Sequence, residues 1–344
     1  MSEPIRIGIV GAGRIVRAEH VPRFRAIEGV ELVGVANRSA DSSRRAADEL
    51  GLERTWGHWR DLVGDPGVDA VLVGAWPVLH APVTIASLDA GKHVLTEARM
   101  AATAEDARAM VRSARAHADR VAAVVPASFS FWADGTIVRL LRDGAIGRVR
   151  HVQASWDASG AGDPGDFWRW QRAWSGDNVM SLGILAEGMA RWLGHPEAVS
   201  AMTRHGQATR PGPDGLIEVD VPDHVLALVE YPDDVTAVIE MSARTNAVSS
   251  NRVVLHGTDG SLVVDLAGQR IVRVAGDGSR EEVPIRDEER ADWTAEIDFV
   301  SAIRGGPPGT LTDFPTGLAY MAFLEAVHRS AANGRRAIVE GEAP

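Results

Sequence analysis

Apolar and polar positions follow one pattern up to about Val125 and another beyond it. In the first stretch, short continuous apolar runs alternate with segments of helical period. Ile5–Val10 (IRIGIV), Val30–Ala36 (VELVGVA), residues 70–75 (AVLVGA), His93–Thr96 (HVLT) and residues 121–125 (VAAVV) read as strands. Helices are expected over 14–27 and 39–50, with further helical stretches between the later strands. Strands that are apolar on both faces and separated by helices predict a parallel sheet covered on both sides. Gly51, Gly91 and the turn Asp65-Pro66-Gly67 punctuate these elements.

After Pro126 the pattern alternates instead. Residues 137–142 read as helix and 148–157 (RVRHVQASWD) as a half-buried strand. A polar, tryptophan-rich stretch follows over 160–178, then a helix over 181–193. Strands are expected over 199–204, 224–231, 235–243, 252–256, 262–265 and 271–274. Short turns such as Pro232-Asp233-Asp234 and Thr258-Asp259-Gly260 mark antiparallel pairing. Helices over 291–304 and 314–332 close the chain, and 211–215 and 305–309 read as loops. An α+β domain with an open, mainly antiparallel sheet is therefore expected over 126–344. A chain of 344 residues suits two such domains.

Composition narrows the function classes. Hydrophobic residues at 45% and charged residues at 24% are ordinary for a soluble protein. A formal net charge of -11 removes the electrostatic basis for nucleic-acid binding. No cysteine occurs, which excludes disulfides, thiolate nucleophiles and cysteine metal sites. The opening MSEPIRIGIV has neither a basic n-region nor a signal-length apolar run, and no run is long enough for a bilayer. The expectation is a cytoplasmic protein acting on a small molecule, without a nucleic-acid or membrane partner. The 11 histidines lack metal-ligand spacing, so no metal site is expected, and no GxSxG elbow is present. Lys92 is the only lysine.

The chemistry begins at Gly11-Ala12-Gly13, between the first strand and the following helix. Gly11 permits the tight turn, Gly13 leaves room for phosphates, and the helix N-terminus at Arg14 and Ile15 offers N–H groups to an anion. Residues 1–125 are thus expected to form an α/β dinucleotide-binding domain of the Rossmann type. Val16 fills the third glycine slot, where glycine or alanine would ease helix–strand packing. The second strand ends in Asn37-Arg38-Ser39 rather than in an acid. A carboxylate there accepts the ribose hydroxyls of NAD and repels a 2′-phosphate, so NADP is the preferred cofactor and NAD the alternative.

Several stretches together carry a family resemblance. They are GIVGAGRIV followed by His20, Leu79-His80-Ala81-Pro82, AGKHVLTE at 90–97, Arg-Trp-Leu-Gly at 191–194, and HRSAANGRR near the C-terminus. Over nearly its whole length the chain resembles the glucose–fructose oxidoreductase/inositol dehydrogenase family (Gfo/Idh/MocA). The resemblance implies a Rossmann domain, an open-faced antiparallel sheet, and a homodimer or homotetramer formed through that sheet. It also implies hydride transfer between a nicotinamide cofactor and a hydroxyl-bearing carbon, often on sugars or cyclitols.

The chain departs from the family's catalytic pattern. Members commonly carry Glu-Lys-Pro after the fifth strand, the lysine serving as acid/base; here the stretch reads Glu97-Ala98-Arg99. A second signature supplies an aspartate and a histidine around a helical glycine. With Gly183 as anchor, Ser181 takes the aspartate's place and Leu185 the histidine's. One general acid–base group contributes about 10²–10⁴-fold to rate, so replacements are sought. Glu97 and His80 lie at the ligand-binding edge of the sheet, Arg99 suits a carboxylate, and Glu187 shares a helix face with Gly183. Glu187 equally suits an ordinary surface ion pair with Arg191. Ala75, Trp76, His80 and Glu97 are expected beside the cofactor together with the glycine turn, and Trp132 is expected to flank its nicotinamide half. Trp168, Arg169, Arg172, Trp174 and Ser181 are expected to face substrate.

The function expected is an NAD(P)-dependent oxidoreductase with non-standard acid/base residues, acting on a sugar, cyclitol or carboxylated hydroxy or keto compound. The alternative is a nucleotide-binding pseudoenzyme or regulator, or a redox-neutral enzyme of elimination or hydrolysis with a tightly bound nicotinamide.

Overall fold

A computed structural model describes residues 3–157, 164–244 and 251–341. The chain divides into two compact units: Met1–Pro126 with Thr294–Met321, and Ala127–Trp293 with Ala322–Ala343. Residues 294–321, expected with the second domain, thus belong to the first unit.

In the first unit, β1 (Ile5–Val10) leads through a π-helical turn over Val16–His20 into α1 (Val21–Arg25). Then follow β2 (Val30–Ala36), α2 (Ala40–Leu50), β3 (Arg54–Thr55), α3 (Trp59–Val63), β4 (Ala70–Val73) and α4 (Pro77–Asp89). Next come β5 (His93–Thr96), α5 (Ala104–Ala116) and β6 (Ala122–Val124). The strands form one parallel sheet in the order β3-β2-β1-β4-β5-β6. Ile7, Ile9, Leu72 and Leu95 are fully buried, as strands sandwiched between helices require.

The expected helix over 14–27 is present but not uniform. Its π-helical turn widens the backbone around His20, a local irregularity often associated with functional positions. Val16 is buried, and the space it needs comes from Gly74 at the end of β4. A Cβ on Gly74 would stand 2.2 Å from Val16 Cγ2 and 2.7 Å from the Gly11 carbonyl oxygen. The missing third glycine is therefore replaced by a glycine on the neighbouring strand.

In the second unit, α6 (Phe131–Arg142) begins six residues before the helix expected over 137–142. It is followed by β7 (Val149–Asp157), a 3₁₀ segment over Pro164–Trp170, α7 (Arg172–Ser175) and α8 (Leu182–Leu193). The first residues of the tryptophan-rich stretch lie outside the described residues. The next strands are β8 (Ala198–Arg204), β9 (Thr209–Gly212), β10 (Gly215–Glu218), β11 (His224–Tyr231) and β12 (Val235–Ser242). Then come β13 (Arg252–Gly257), β14 (Gly260–Asp265), β15 (Arg270–Ala275), β16 (Arg280–Val283) and, near the C-terminus, β17 (Ala337–Ile338).

Nine of these strands form a sheet in the order β16-β15-β14-β13-β7-β12-β11-β8-β17. Every pair is antiparallel except β12 with β7. The expected loop at 211–215 lies within the separate hairpin β9–β10, which accepts Pro211 because a two-stranded ribbon leaves an N–H side unpaired. Before β17, α9 (Ala295–Ile303) and the first residues of α10 (Phe314–Asn333) return to the first unit.

Candidate active site

The parallel sheet brings the turns after β1, β4 and β5 side by side. Gly74 N–H donates to the Val10 carbonyl, and Glu97 N–H to the Val73 carbonyl, each at 2.9 Å. Gly11, Ala75, Trp76, His80 and Glu97 therefore share the C-terminal edge, where ligands bind in such sheets.

Gly11 has φ +86°, and a Cβ there would lie 2.6 Å from backbone atoms of Ala75. Gly13 is different: its Cβ would meet only the Gly74 carbonyl oxygen, at 3.7 Å, and Gly13 and Arg14 are exposed. The first N–H groups of the helix after Gly13 have no partner within the helix. The turn is thus rigid on its protein side and open on its outer side, which fits a dinucleotide pyrophosphate.

Asn37 fastens this turn. Its Oδ1 accepts the Ala12 N–H at 2.8 Å, and its Nδ2 donates to the Ser42 carbonyl at 3.0 Å. Ser39 caps α2: its Oγ accepts the Ser42 N–H at 3.3 Å, and Ser42 Oγ accepts the Ser39 N–H at 3.0 Å. Of the three residues ending β2, Arg38 alone has an exposed side chain without a structural hydrogen bond of this kind.

Glu97 closes β5 with its side chain 17% exposed. One carboxylate oxygen accepts the Ala98 N–H at 3.1 Å, and the other lies 2.6 Å from His20 Nε2. His20 Nδ1 lies 2.6 Å from Glu296 Oε1 on α9. Both His20 and Glu296 are sealed from solvent. Burial alone lowers the proton affinity of His20. The contacts with Glu296 and Glu97 outweigh burial and push its pKa from 6.5 up to about 9.

Several expected residues take other positions. His80 is buried, with Nδ1 2.9 Å from the Arg99 carbonyl and Nε2 2.9 Å from the Ala75 carbonyl. Burial pushes its pKa down, so the ring is neutral near pH 7 and donates to one carbonyl at a time. It braces the turns after β4 and β5 and offers no open face for proton exchange. Arg99, expected as a carboxylate clamp, is 2% exposed and withdrawn from solvent. The Ala98–Arg99 peptide is cis, and Met100 N–H donates to the Tyr320 hydroxyl at 2.5 Å. Lys92 donates to the carbonyls of Asp65 and Val68 at 3.0 and 2.7 Å, at the opposite end of β5.

In the second unit, Glu187 is buried on α8 rather than open to a ligand. Its Oε1 accepts the Ala127 N–H at 2.9 Å and lies 3.6 Å from Arg191 Nη1. Arg191 in turn donates to Asp134 and to the Ala127 carbonyl, each at 2.7 Å. Glu187 thus faces Arg191 as the second expectation had it, but in a buried network rather than in a surface ion pair. Leu185 is buried and Ser181 precedes α8, partly exposed.

Trp168 is half-buried beneath the Arg169 guanidinium, 4.3 Å from its ring centre, and Trp170 is buried beneath Arg210. Arg172 is exposed and paired with Asp177, and Trp174 is half-buried. Trp132 is buried with its indole N–H donating to the Phe129 carbonyl at 3.2 Å.

Residues 5–124 match the oxidoreductase family GFO_IDH_MocA, described by its NAD-binding Rossmann fold, and residues 135–263 match the GFO/IDH/MocA C-terminal domain. The chain belongs to the Gfo/Idh/MocA oxidoreductase family. It is 30% identical to 1,5-anhydro-D-fructose reductase of Ensifer adhaerens over 97% of this chain and 98% of that protein. It is 26% identical to levoglucosan dehydrogenase of Pseudarthrobacter phenanthrenivorans over 79% of this chain and 76% of that one. Among solved structures, levoglucosan dehydrogenase in complex with NADH and levoglucosan superposes with a TM-score of 0.83 at 20% identity, covering 98% of this chain and all of that one. The likeness confirms the expected architecture: a Rossmann-fold parallel sheet and a second, mostly antiparallel sheet. No helix among the described residues is long and apolar enough to cross a membrane.

His20 entered the sequence reading only as part of the resemblance, and Glu296 and Gly74 not at all. Glu296 had a signal: it falls on the apolar stripe of Ala295, Phe299 and Val300 in an otherwise buried helix face. A carboxylate on such a stripe requires a buried partner.

Proposed function

We propose that the protein is an NAD(P)-dependent oxidoreductase that oxidises a hydroxyl of a small sugar-type molecule, or reduces the corresponding carbonyl, with Glu97 as the proton-handling group. The observation that carries this reading is the partly exposed Glu97 carboxylate, on the same sheet edge as the glycine turn, next to Ala98. When bound, the nicotinamide accepts or returns the hydride. Glu97 takes the hydroxyl proton as the C–H and O–H bonds break and the C=O bond forms. His80 and Asn37 hold the surrounding turns in place. The exposed Arg38, with no acid ending β2, supports a preference for NADP through its 2′-phosphate. The sugar-type substrate rests on the named relatives, an anhydrofructose reductase and a levoglucosan dehydrogenase.

Fluorescence titration with NADPH and NADH, followed by turnover assays on anhydrosugars, aldoses and inositols, tests the reading. Glu97→Gln should lower kcat by about 10²–10⁴-fold while nucleotide affinity is retained. An unaffected rate overturns the assignment. Nucleotide binding without turnover on any of these compounds favours the pseudoenzyme or redox-neutral reading, which the replacements at Ala98, Ser181 and Leu185 support.

The open sheet face supports self-association as a homodimer or homotetramer. Leu228 on β11 and its register partner Val238 on β12 are 61% and 36% exposed, beside Met202 on β8. Leu228→Glu should shift the sedimentation coefficient towards the monomer; an unchanged coefficient rules this face out.

A further inference from the structure

We infer that His20 and Glu296 form a buried proton relay behind Glu97, taking up the proton that Glu97 receives and keeping it inside the protein during turnover. The inference rests on the reading of Glu97 as the proton-handling group.

Geometry supplies a path of close contacts. Glu97 Oε1, His20 Nε2, His20 Nδ1 and Glu296 Oε1 are linked by two contacts of 2.6 Å, with the imidazole bridging the carboxylates. The path has one open end. Glu97 is partly exposed, whereas His20 and Glu296 are sealed. Among the charged groups facing His20 are Glu97 from the end of β5 and Glu296 from α9, and Phe24 packs beside it from α1.

Charge supplies the capacity. Two carboxylates and one imidazolium sum to a charge of -1, and one added proton neutralises the three groups. The step balances without electrons. Protonated Glu97 gives its proton to Nε2 as Nδ1 gives its own to Glu296. Glu97 is again a carboxylate, His20 is again doubly protonated, and Glu296 is a neutral acid. Reversal returns the proton by the same path, so the relay serves either direction of reaction.

His20 and Glu296 are accordingly positioning residues, acting only through Glu97. The π-helical turn at Val16–His20 sets the imidazole at the required place on the helix.

The test combines a measurement on the protein alone with one on turnover. In ¹⁵N spectra of histidine-labelled protein, His20 should carry protons on both ring nitrogens at neutral pH, and Glu296→Gln should move its titration to lower pH. A neutral His20 overturns the relay. In single turnovers with the most active compound of the panel, an indicator dye should record proton release after reduced nicotinamide has formed. In Glu296→Gln the two should coincide, with kcat lowered about 10–100-fold, the range commanded by residues that act through a ligand. Glu296→Asp should restore the delay in part. Simultaneous release in the wild type overturns the relay even if the variants fail to fold. If Glu97→Gln itself leaves the rate unchanged, the reading of Glu97 falls instead.

Discussion

Raising the pH from 6.5 towards 9 should cost the folded protein stability, because the unfolded chain gives up the His20 proton while the sealed imidazole still holds it. The ring is placed 2.6 Å from each of Glu97 and Glu296. Burial opposes its protonation, and the two carboxylates prevail, raising the pKa from 6.5 to about 9. A histidine that holds its proton more tightly when folded contributes stability that is fully present below the unfolded value. That contribution is lost as pH rises through the folded value. One pKa unit corresponds to about 1.4 kcal/mol, so the full shift contributes at most about 3.5 kcal/mol. With 1 kcal/mol moving Tm by roughly 2–4 °C in domains of 150–250 residues, the site accounts for a fall of at most roughly 7–14 °C. His80, His93 and His328 act in the opposite direction, because burial lowers their pKa values. Their contribution is present above the unfolded value and lost as pH falls below it. Comparison with His20→Gln isolates the rising-pH effect. Circular-dichroism melts between about pH 6 and about pH 10 should show the wild type losing Tm more steeply than the variant, the two curves converging at the alkaline end. Parallel curves would mean that His20 binds its proton equally in both states, and the charge assignment of the cluster would be wrong.

Gly74→Ala should cost about 1–3 kcal/mol through overpacking against Val16 and the Gly11 carbonyl, and should weaken nucleotide binding; adding Val16→Ala should recover only the part due to Val16, as read from melts and fluorescence titration. Asn37→Ala frees the Ala12 N–H and should raise the Kd for NADH and NADPH alike, whereas Arg38→Ala should raise it for NADPH alone; equal effects of Arg38→Ala on both would refute the NADP preference. Glu187→Gln should lower stability by about 1–3 kcal/mol because it weakens a buried charged network, with nucleotide affinity retained; a loss of nucleotide binding without loss of Tm would return Glu187 to the site.

The parallel sheet was legible because its strands are continuous apolar runs, a pattern that requires cover on both faces. The open sheet was legible from consecutive strands joined by short turns such as Pro232-Asp233-Asp234. Residues 294–321 were assigned to the wrong unit, since an apolar helical stripe specifies that a helix is buried but not against what. The glycine turn and Glu97 were legible from strand ends. The role of His80 and the burial of Glu187 were not, because only the folded chain shows the carbonyls and the amide that engage them, although the Glu187–Arg191 pair itself follows from their spacing. Val16 looked like a defect for the same reason: Gly74, 58 positions later in the sequence, makes its room.

The absence of lysine beside Glu97 changes what the rest of the first unit must supply. The only lysine is spent on the carbonyls of Asp65 and Val68 at the other end of β5, so no ammonium is available at the reactive edge. Arg99 cannot exchange a proton near neutral pH, since a guanidinium stays charged. A carboxylate alone, drawn partly out of water, lacks a nearby cation to hold its charge in a fixed orientation. His20 supplies that cation from the helix that opens at the glycine turn, and Glu296 lies against it from α9. The segment 294–321 is therefore more than a connection: by returning to the first unit it brings the carboxylate that keeps His20 charged. On the proposed reading, the helix that opens at the glycine turn serves both the cofactor and Glu97, and both roles depend on the backbone between Gly13 and His20.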